Sequence, residues 1–405
     1  MKVKRIPISL NLTYLLGIFW LTMLLQSCAT TLPGRTFEQR TIGLYVSGTE
    51  LYNQEKYIQA IYLLKQAIDF NEDFAEAYYT LGLTYIKTEQ FTDALENLDQ
   101  AKALKPVTEE PGYDQADVHF NIGLAQFGLN EYEAAVESVK EAVTLRPDFA
   151  QAHYNLGIMA KKMDLKEDAV SHFTRAIEAD SSMDKAHVAI GILYRERGDL
   201  ATAQGEFQKA IDVNKENKTA YMEIGKVFRG LDNLETAARY LRRATQLDDK
   251  YVEAYLNLGF VYVDLNSLDR AISAFSKVTQ IDSTSPDGYF NLAQVNYLKG
   301  DTTVALANYE KVIEVEPDRK LVHFQIGIIL EQQGEIDNAI GAYKREISSN
   351  PDHAFSHFNL AVLLHKVGKL DEAFVEYENY VSLAPESDER AEKVKKILEQ
   401  IGDVN

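Results

Sequence analysis

The sequence is organised around a unit that recurs at a nearly constant interval. Ten successive copies align on an alanine, and eight of the nine intervals between these alanines are equal to that between Ala203 and Ala237. The alanines are Ala60, Ala94, Ala135, Ala169, Ala203, Ala237, Ala271, Ala305, Ala339 and Ala373. The remaining interval, between the second and third alanines, is longer because residues 109–115 are inserted. A unit of this length is too short to bury its own apolar face, so the copies must stack on one another around a shared core.

Within each copy, the apolar residues follow the spacing of two amphipathic helices. In the copy that begins at Ala150, Leu156 and Ala160 fall on one face of a first helix, and Phe173 and Ala176 fall on one face of a second. In eight copies a residue suited to a helix end separates the two: Asn130, Asp164, Gly198, Asp232, Asn266, Gly300, Gly334 and Gly368. This pattern, with its period of about 34 residues, resembles the tetratricopeptide repeat (TPR), a pair of antiparallel helices.

The resemblance implies an all-α fold, a right-handed superhelical solenoid of ten TPR helix hairpins over residues 41–387. The residues that follow, 388–405, carry Ala391, Val394 and Leu398 at helical spacing in an otherwise polar stretch. They predict a C-terminal capping helix, which covers the apolar face that the last repeat would leave open.

Residues 1–27 have the pattern of a secretory leader. Positive charges within residues 2–5 precede an uncharged stretch, 12–25, that is shorter than the roughly 20 apolar residues that span a bilayer. Cys28 is the only cysteine, so it can form neither an internal disulfide nor a zinc site by itself. Residues 25–28, Leu-Gln-Ser-Cys, resemble the lipobox of bacterial lipoproteins. An uncleaved N-terminal anchor and an ordinary signal peptide are the alternatives.

The lipoprotein resemblance implies cleavage before Cys28, acylation of its sulfur with a fatty acid such as palmitate, and a lipid-tethered linker over residues 28–40. Because Ala29 follows the cysteine, the same resemblance implies the periplasmic face of the outer membrane. Loss of the leader would change the formal net charge from -19 to -22, since three positive charges leave with it. Nucleic acid and anionic membrane surfaces repel so acidic a chain, so neither is expected as a general partner beyond the lipid anchor.

The sequence contains no motif typical of an enzyme site. It has no phosphate-binding glycine loop and no G-x-S-x-G nucleophile motif. Five histidines recur at the fourth position of their repeat, where other repeats have tyrosine, which is typical of interface packing: His119, His153, His187, His323 and His357. We therefore expect no catalytic residue, no cofactor, no metal and no small-molecule substrate.

In TPR proteins the first helices line a concave surface, and two of their positions predict a partner-binding groove here. The sixth position of the repeat is an asparagine five times: Asn121, Asn155, Asn257, Asn291 and Asn359. The fifth position is aromatic six times: Tyr79, Phe120, Tyr154, Phe290, Phe324 and Phe358. Amides can donate to and accept from the backbone of an extended peptide. The alternative is that the aromatics pack between repeats and the asparagines form local hydrogen bonds.

Basic residues of repeats four to six also fall at inward-facing positions. They are Lys161, Lys162, Lys185, Arg195, Lys226 and Arg229, and they predict a basic patch for an acidic protein segment. The alternative, that they offset helix dipoles, applies to four of them but not to Lys185 or Lys226.

The predicted function is a non-enzymatic scaffold lipoprotein that binds protein partners through its concave surface. Lipoproteins that it resembles imply a role in assembling an envelope machine, such as a pilus secretin, outer-membrane protein insertion or exopolysaccharide export. The alternative is direct binding of an anionic polysaccharide or another acidic polymer in the groove.

Overall fold

The computed structural model describes residues 37–107, 111–385 and 387–402. These residues form 21 α-helices and contain no β-strand. The predicted leader, the predicted lipidation site Cys28 and the linker up to residue 36 lie outside the described residues. Among the described helices, none is both long enough and apolar enough to cross a lipid bilayer.

The helices alternate as first and second members of ten hairpins, and one further helix follows. The first helices are α1 (Phe37–Asn53), α3 (Ala75–Lys87), α5 (Gln115–Gly128), α7 (Ala150–Lys162), α9 (Asp184–Glu196), α11 (Lys218–Gly230), α13 (Val252–Asp264), α15 (Pro286–Lys299), α17 (Val322–Gln332) and α19 (Ala354–Lys366). The second helices are α2 (Tyr57–Phe70), α4 (Phe91–Ala103), α6 (Tyr132–Leu145), α8 (Lys166–Ala179), α10 (Leu200–Val213), α12 (Leu234–Leu247), α14 (Leu268–Ile281), α16 (Thr302–Val315), α18 (Ile336–Ser349) and α20 (Leu370–Leu383). The last helix is α21 (Glu389–Gly402). The predicted all-α series of helix hairpins with a terminal helix is confirmed.

The described residues divide into two compact units, an N-terminal unit that ends at Leu193 and a C-terminal unit that begins at Tyr194. The boundary lies inside α9. In the N-terminal unit, α5 packs on α6 and α6 packs on α7; in the C-terminal unit, α13, α14 and α15 pack in the same succession. At the end of the C-terminal unit, α21 packs on α20 and buries Val394.

Close approach of the two helices in each hairpin explains the recurrent small residues. All ten alanines that define the repeat have no exposed surface. The first helix presents glycine at most of the equivalent places, and a methyl group on Gly157 would lie 2.5 Å from a ring carbon of Phe173. Because the large side chain of one helix fills the space left by the small residue of the other, the periodic pattern is a packing requirement.

The turn inside each hairpin requires a left-handed backbone conformation. The residues with positive φ include all eight turn residues that the sequence predicted, with φ between 53° at Asn266 and 92° at Gly300. In the first two hairpins the same position is occupied by Glu55 and Glu89, at 59° and 58°. Glycine, asparagine and aspartate adopt this conformation at lower cost than glutamate, so the first two turns are the most strained of the series.

Candidate functional site

The face on which the sequence places the groove is built from first helices that touch one another. In the N-terminal unit α1 contacts α3 and α3 contacts α5, and in the C-terminal unit α11 contacts α13. Equivalent positions of successive first helices therefore lie side by side within each unit. This arrangement brings the fifth position of the second repeat within hydrogen-bonding distance of the sixth position of the third.

Tyr79 and Asn121 show this arrangement directly. The Nδ2 atom of Asn121, in the third repeat, donates to the hydroxyl of Tyr79, in the second, over 3.2 Å. The ring of Tyr113, which belongs to the inserted segment, stacks on Tyr79 with ring centroids 4.0 Å apart and an interplanar angle of 12°. Burial raises the pKa of the Tyr79 hydroxyl, and the nearby Asp117 carboxylate adds to this effect. The insertion therefore covers this part of the predicted groove with a ring of the chain itself.

Four of the five asparagines are held by their own helix. The Nδ2 atoms of Asn121, Asn155, Asn257 and Asn291 each donate to the backbone carbonyl four residues earlier, at 2.8 Å in every case. The local bonding that the sequence left as an alternative is thus present. Each bond uses one amide hydrogen, so the second N–H and the Oδ1 oxygen of Asn155, Asn257 and Asn291 can still bond a ligand, whereas Asn121 gives its second N–H to Tyr79.

The asparagines differ in their access to solvent. Asn155 and Asn257 are partly exposed, whereas Asn291 retains only 9% of its surface. In the tenth repeat, Asn359 donates to the hydroxyl of Tyr343, in the preceding hairpin, over 3.3 Å. Asn155 and Asn257 are therefore the members of this set best placed to reach a partner.

The other aromatic residues of the fifth position pack against rings of the hairpins. Ring centroids lie between 5.0 and 5.9 Å apart in the pairs Phe120–Phe149, Tyr154–Phe173, Phe290–Tyr309, Phe324–Tyr343 and Phe358–Tyr380. The ring of Phe324 also lies 4.7 Å from that of His353. Phe120 keeps only 8% of its surface exposed. Four of these five pairs lie within a single hairpin, whereas the alternative that the sequence left open placed the aromatics between repeats. The packing accounts for these side chains without any ligand.

Part of the predicted basic patch is neutralised by a carboxylate that sequence reasoning did not assign. Glu223 stands at the sixth position of its repeat, where five other repeats have asparagine, and it is 4% exposed. Its carboxylate lies 2.9 Å from Nε of Arg195 and 3.0 Å from Nζ of Lys226. Lys226 also lies 3.4 Å from Glu253 of the next repeat. The three-residue spacing of Glu223 and Lys226 on one helix was the sequence signal for this contact.

The remaining basic residues divide between the two units. Arg229 places its Nε 2.6 Å from a carboxylate oxygen of Asp264. All three members of the predicted basic patch that belong to the C-terminal unit therefore have carboxylates beside them. Lys161, Lys162 and Lys185 belong to the N-terminal unit and are exposed. The C-terminal part of the predicted patch therefore carries no excess of positive charge.

Two of the five fourth-position histidines bond the segment that joins their repeat to the preceding one. In both His153 and His357, the Nε2 atom donates to the carbonyl of the proline six residues earlier, Pro147 or Pro351, at 2.9 Å. His357 also contacts the Glu376 carboxylate through Nδ1, at 2.5 Å. Among the residues that the structure describes, no cluster of three or more His, Cys, Asp or Glu side chains is arranged to hold a metal ion.

Three family models match parts of the chain. A family model described as tetratricopeptide repeat matches residues 120–184, 188–250, 290–354 and 324–388, more than half of the chain. Another with the same description matches residues 73–148, and one described as TPR repeat matches residues 48–88 and 261–300. No curated protein matches the chain.

The chain is similar to several solved structures. YrrB, described as a TPR protein with an unusual peptide-binding site, is 27% identical with a TM-score of 0.39, over 45% of this chain and 95% of YrrB. MamA is 25% identical with a TM-score of 0.39, over 42% of this chain and 92% of MamA. Yeast Tom70 is 16% identical with a TM-score of 0.43, over 91% of this chain and 96% of that chain.

Proposed function

Because the chain belongs to the tetratricopeptide repeat family, we propose that it is a non-enzymatic scaffold that binds extended segments of partner proteins along the face formed by its first helices. Repeats of this family typically build protein-interaction scaffolds without catalytic residues. The observation that carries the proposal is the set of asparagine amides fixed by their own helices, with Asn155 and Asn257 partly exposed. A fixed amide loses little side-chain freedom when it binds, so more of each hydrogen bond contributes to affinity.

Recognition by asparagine amides suits a partner that is bound through its backbone rather than through its side chains. In Asn155 and in Asn257, one N–H and the Oδ1 oxygen can bond a carbonyl and an N–H of an extended chain at the same time. The ion pairs of Arg195, Lys226 and Arg229 support the same conclusion, because cations with carboxylates beside them attract an acidic polymer weakly. A partner of mixed charge therefore agrees better with the C-terminal unit than an anionic polysaccharide does.

A lipid anchor at Cys28 would hold this scaffold at a membrane. The leader pattern and the lipobox resemblance support acylation there, and the residue after the cysteine supports the periplasmic face of the outer membrane. The first described helix begins at Phe37, so only a short segment would separate the anchor from the repeats. A short tether keeps bound segments close to the membrane surface, which is what assembly of an envelope machine requires.

Two matched asparagine variants test the proposal. Asn308, on the second helix α16, makes the same bond as the groove asparagines, from Nδ2 to the carbonyl of Val304 at 2.8 Å. Peptides selected from a random display library against the native protein should bind the Asn155→Ala, Asn257→Ala double variant more weakly. The expected loss is about 0.5–1.5 kcal/mol for each hydrogen bond removed.

The Asn308→Ala variant should bind the same peptides as tightly as the native protein, because it loses an equivalent local bond away from the groove. Affinities from isothermal titration calorimetry decide between the variants, and circular dichroism checks that helicity is unchanged. If the library yields no binding peptides, or if the two variants lose equal affinity, peptide binding by the first-helix face is refuted.

A further inference from the structure

The C-terminal unit contains a pocket that is separate from the groove asparagines. It has a volume of about 440 Å³ and lies among α12, α13 and α14. Its floor is apolar, formed by Leu258 and Ala274, each 5% exposed, and by Tyr262, 8% exposed. A cavity of this size is within the range that small ligands occupy.

The pocket lies where the seventh repeat has a small residue and the preceding repeat has a large one. In the sixth repeat, the place equivalent to Ala274 is taken by Tyr240, whose ring lies 6.1 Å from that of Tyr221. In the seventh repeat, Tyr255 stands where Tyr221 does, but the methyl group of Ala274 leaves the space beside it open. The cavity therefore lies where the sixth and seventh repeats meet.

Three cations border the cavity, and all are exposed. Arg242 is on α12, whereas Arg270 and Lys277 are on α14, seven residues apart and so on one face of that helix. Within the described part of the chain, none of the three is paired with a carboxylate. The guanidinium of Arg270 also lies 5.9 Å from the ring centroid of Tyr262.

Three acidic residues of the same repeats are engaged with other cations. Asp248 pairs with Lys218 at 2.5 Å, and Asp264 is 2.6 Å from Arg229, as described above. Asp269, next to Arg270 in the sequence, lies 2.9 Å from Lys299. In a chain with a formal net charge of -19, three cations left unpaired at one cavity are a concentrated positive site.

From this combination we propose that the pocket binds a phosphate or sulfate monoester of a small apolar or aromatic group. The oxyanion would lie among Arg242, Arg270 and Lys277, and the hydroxyl groups of Tyr255 and Ser273, which also line the cavity, can donate to it. The apolar group would contact the floor. A monoester offers three terminal oxygens to several donors, whereas a carboxylate offers two.

Titration of the full chain with phenyl phosphate at low ionic strength tests the proposal, with calorimetry as the measurement. Saturable binding of one phenyl phosphate per chain is expected, tighter than that of inorganic phosphate because only the ester reaches the floor. Phenyl sulfate, compared in the same way, tells the two oxyanions apart. Saturable binding of neither ester would overturn the proposal.

Substitutions that each remove one positive charge test where the ester binds. Arg242→Gln, Arg270→Gln and Lys277→Gln should each weaken phenyl phosphate binding by roughly threefold to tenfold, since each removes one charge-assisted contact at an exposed position. Arg243→Gln is the matched control, because Arg243 follows Arg242 on α12 but lies over the ring of Tyr221, 5.9 Å from its centroid. Equal weakening by Arg243→Gln would mean diffuse attraction rather than a site, and would overturn the proposal.

The cavity itself is tested without removing any charge. Ala274→Tyr introduces the residue that stands at the equivalent place in the preceding repeat, and it should fill the space beside Tyr255. This variant should lose the preference for phenyl phosphate over inorganic phosphate while all three cations remain. Native-like affinity for phenyl phosphate in this variant would show that the cavity is not used, and would overturn the assignment.

Discussion

Replacing Gly123 with alanine should destabilise the N-terminal unit, although alanine is the better helix former. A methyl group at Gly123 would lie 2.4 Å from Cγ2 of Val139 and 2.9 Å from the backbone carbonyl oxygen of Ala135. The valine can change rotamer, but the carbonyl belongs to helix α6 and cannot move without separating α5 from α6. The expected outcome is therefore decided by the backbone contact.

The same replacement at Gly205 provides the matched control. Gly205 lies inside helix α10, and a methyl group there meets no atom within 4 Å. In both helices, alanine is favoured over glycine by about 1 kcal/mol. Gly205→Ala should gain that amount, whereas overpacking at Gly123 costs about 1–3 kcal/mol. Because the helix-propensity gain is common to both variants, their unfolding free energies should differ by the overpacking cost, with Gly123→Ala the less stable.

Urea denaturation followed by circular dichroism measures the difference. The only tryptophan, Trp20, belongs to the predicted leader, so intrinsic tryptophan fluorescence would not report on the repeats. Long repeat arrays need not unfold in a single step, so amide hydrogen exchange in α5 and α6 should accompany the denaturation curve. A Gly123→Ala protein as stable as Gly205→Ala would refute the claim that close helix approach requires glycine here.

Three further predictions concern other parts of the chain. The fully buried Glu346 accepts hydrogen bonds from the backbone N–H groups of Leu321 and Phe324, at 2.7 and 3.3 Å. Glu346→Ala should cost about 1–3 kcal/mol for each N–H left unpaired, and Glu346→Gln less, as measured by urea denaturation. Burial lowers the pKa of His172 below its ordinary 6.5, so its neutral form is favoured in the folded state and its contribution to stability is lost as the pH falls below about 6.5. A His172→Gln variant should show a shallower loss of unfolding free energy over that range, and an unchanged slope would contradict this. Cys28→Ser should abolish palmitate incorporation and release the protein from membranes, measured by metabolic labelling and fractionation; membrane partitioning equal to that of the native chain, without label in either, would contradict a lipid anchor.

The repeat itself could be predicted from the sequence because its determinants are local. Each recurrent alanine lies where two helices approach, and each predicted turn residue adopts a left-handed backbone conformation. These requirements involve residues close together in the chain, so they leave a strict period. His153 and His357, which the sequence pattern assigned to interface packing, are buried, and the structure adds a bond from each to the preceding proline carbonyl.

The candidate site was less predictable because its contacts join different repeats. Glu223 interrupts the asparagine series in the sequence, and only the stacking of first helices shows that its carboxylate contacts Arg195 of the preceding repeat. Tyr113 belongs to an insertion without any repeat pattern, yet it stacks on Tyr79. A surface that the repeat pattern predicts to be open to a partner can thus be covered by side chains from other parts of the chain.

By itself, the sequence determined the hairpin, its register and its small-residue packing, because each depends on spacing within a single repeat. Tertiary structure alone decided which charges of different repeats are paired and where space is left open. Ala274 and Tyr240 occupy equivalent positions, and the repeat pattern accepts either residue. A cavity forms beside Ala274 because the neighbouring helices do not move in to fill the space that a tyrosine ring would occupy. Ion pairing and cavities depend on distances between side chains of different helices, and such distances exist only after the repeats have stacked.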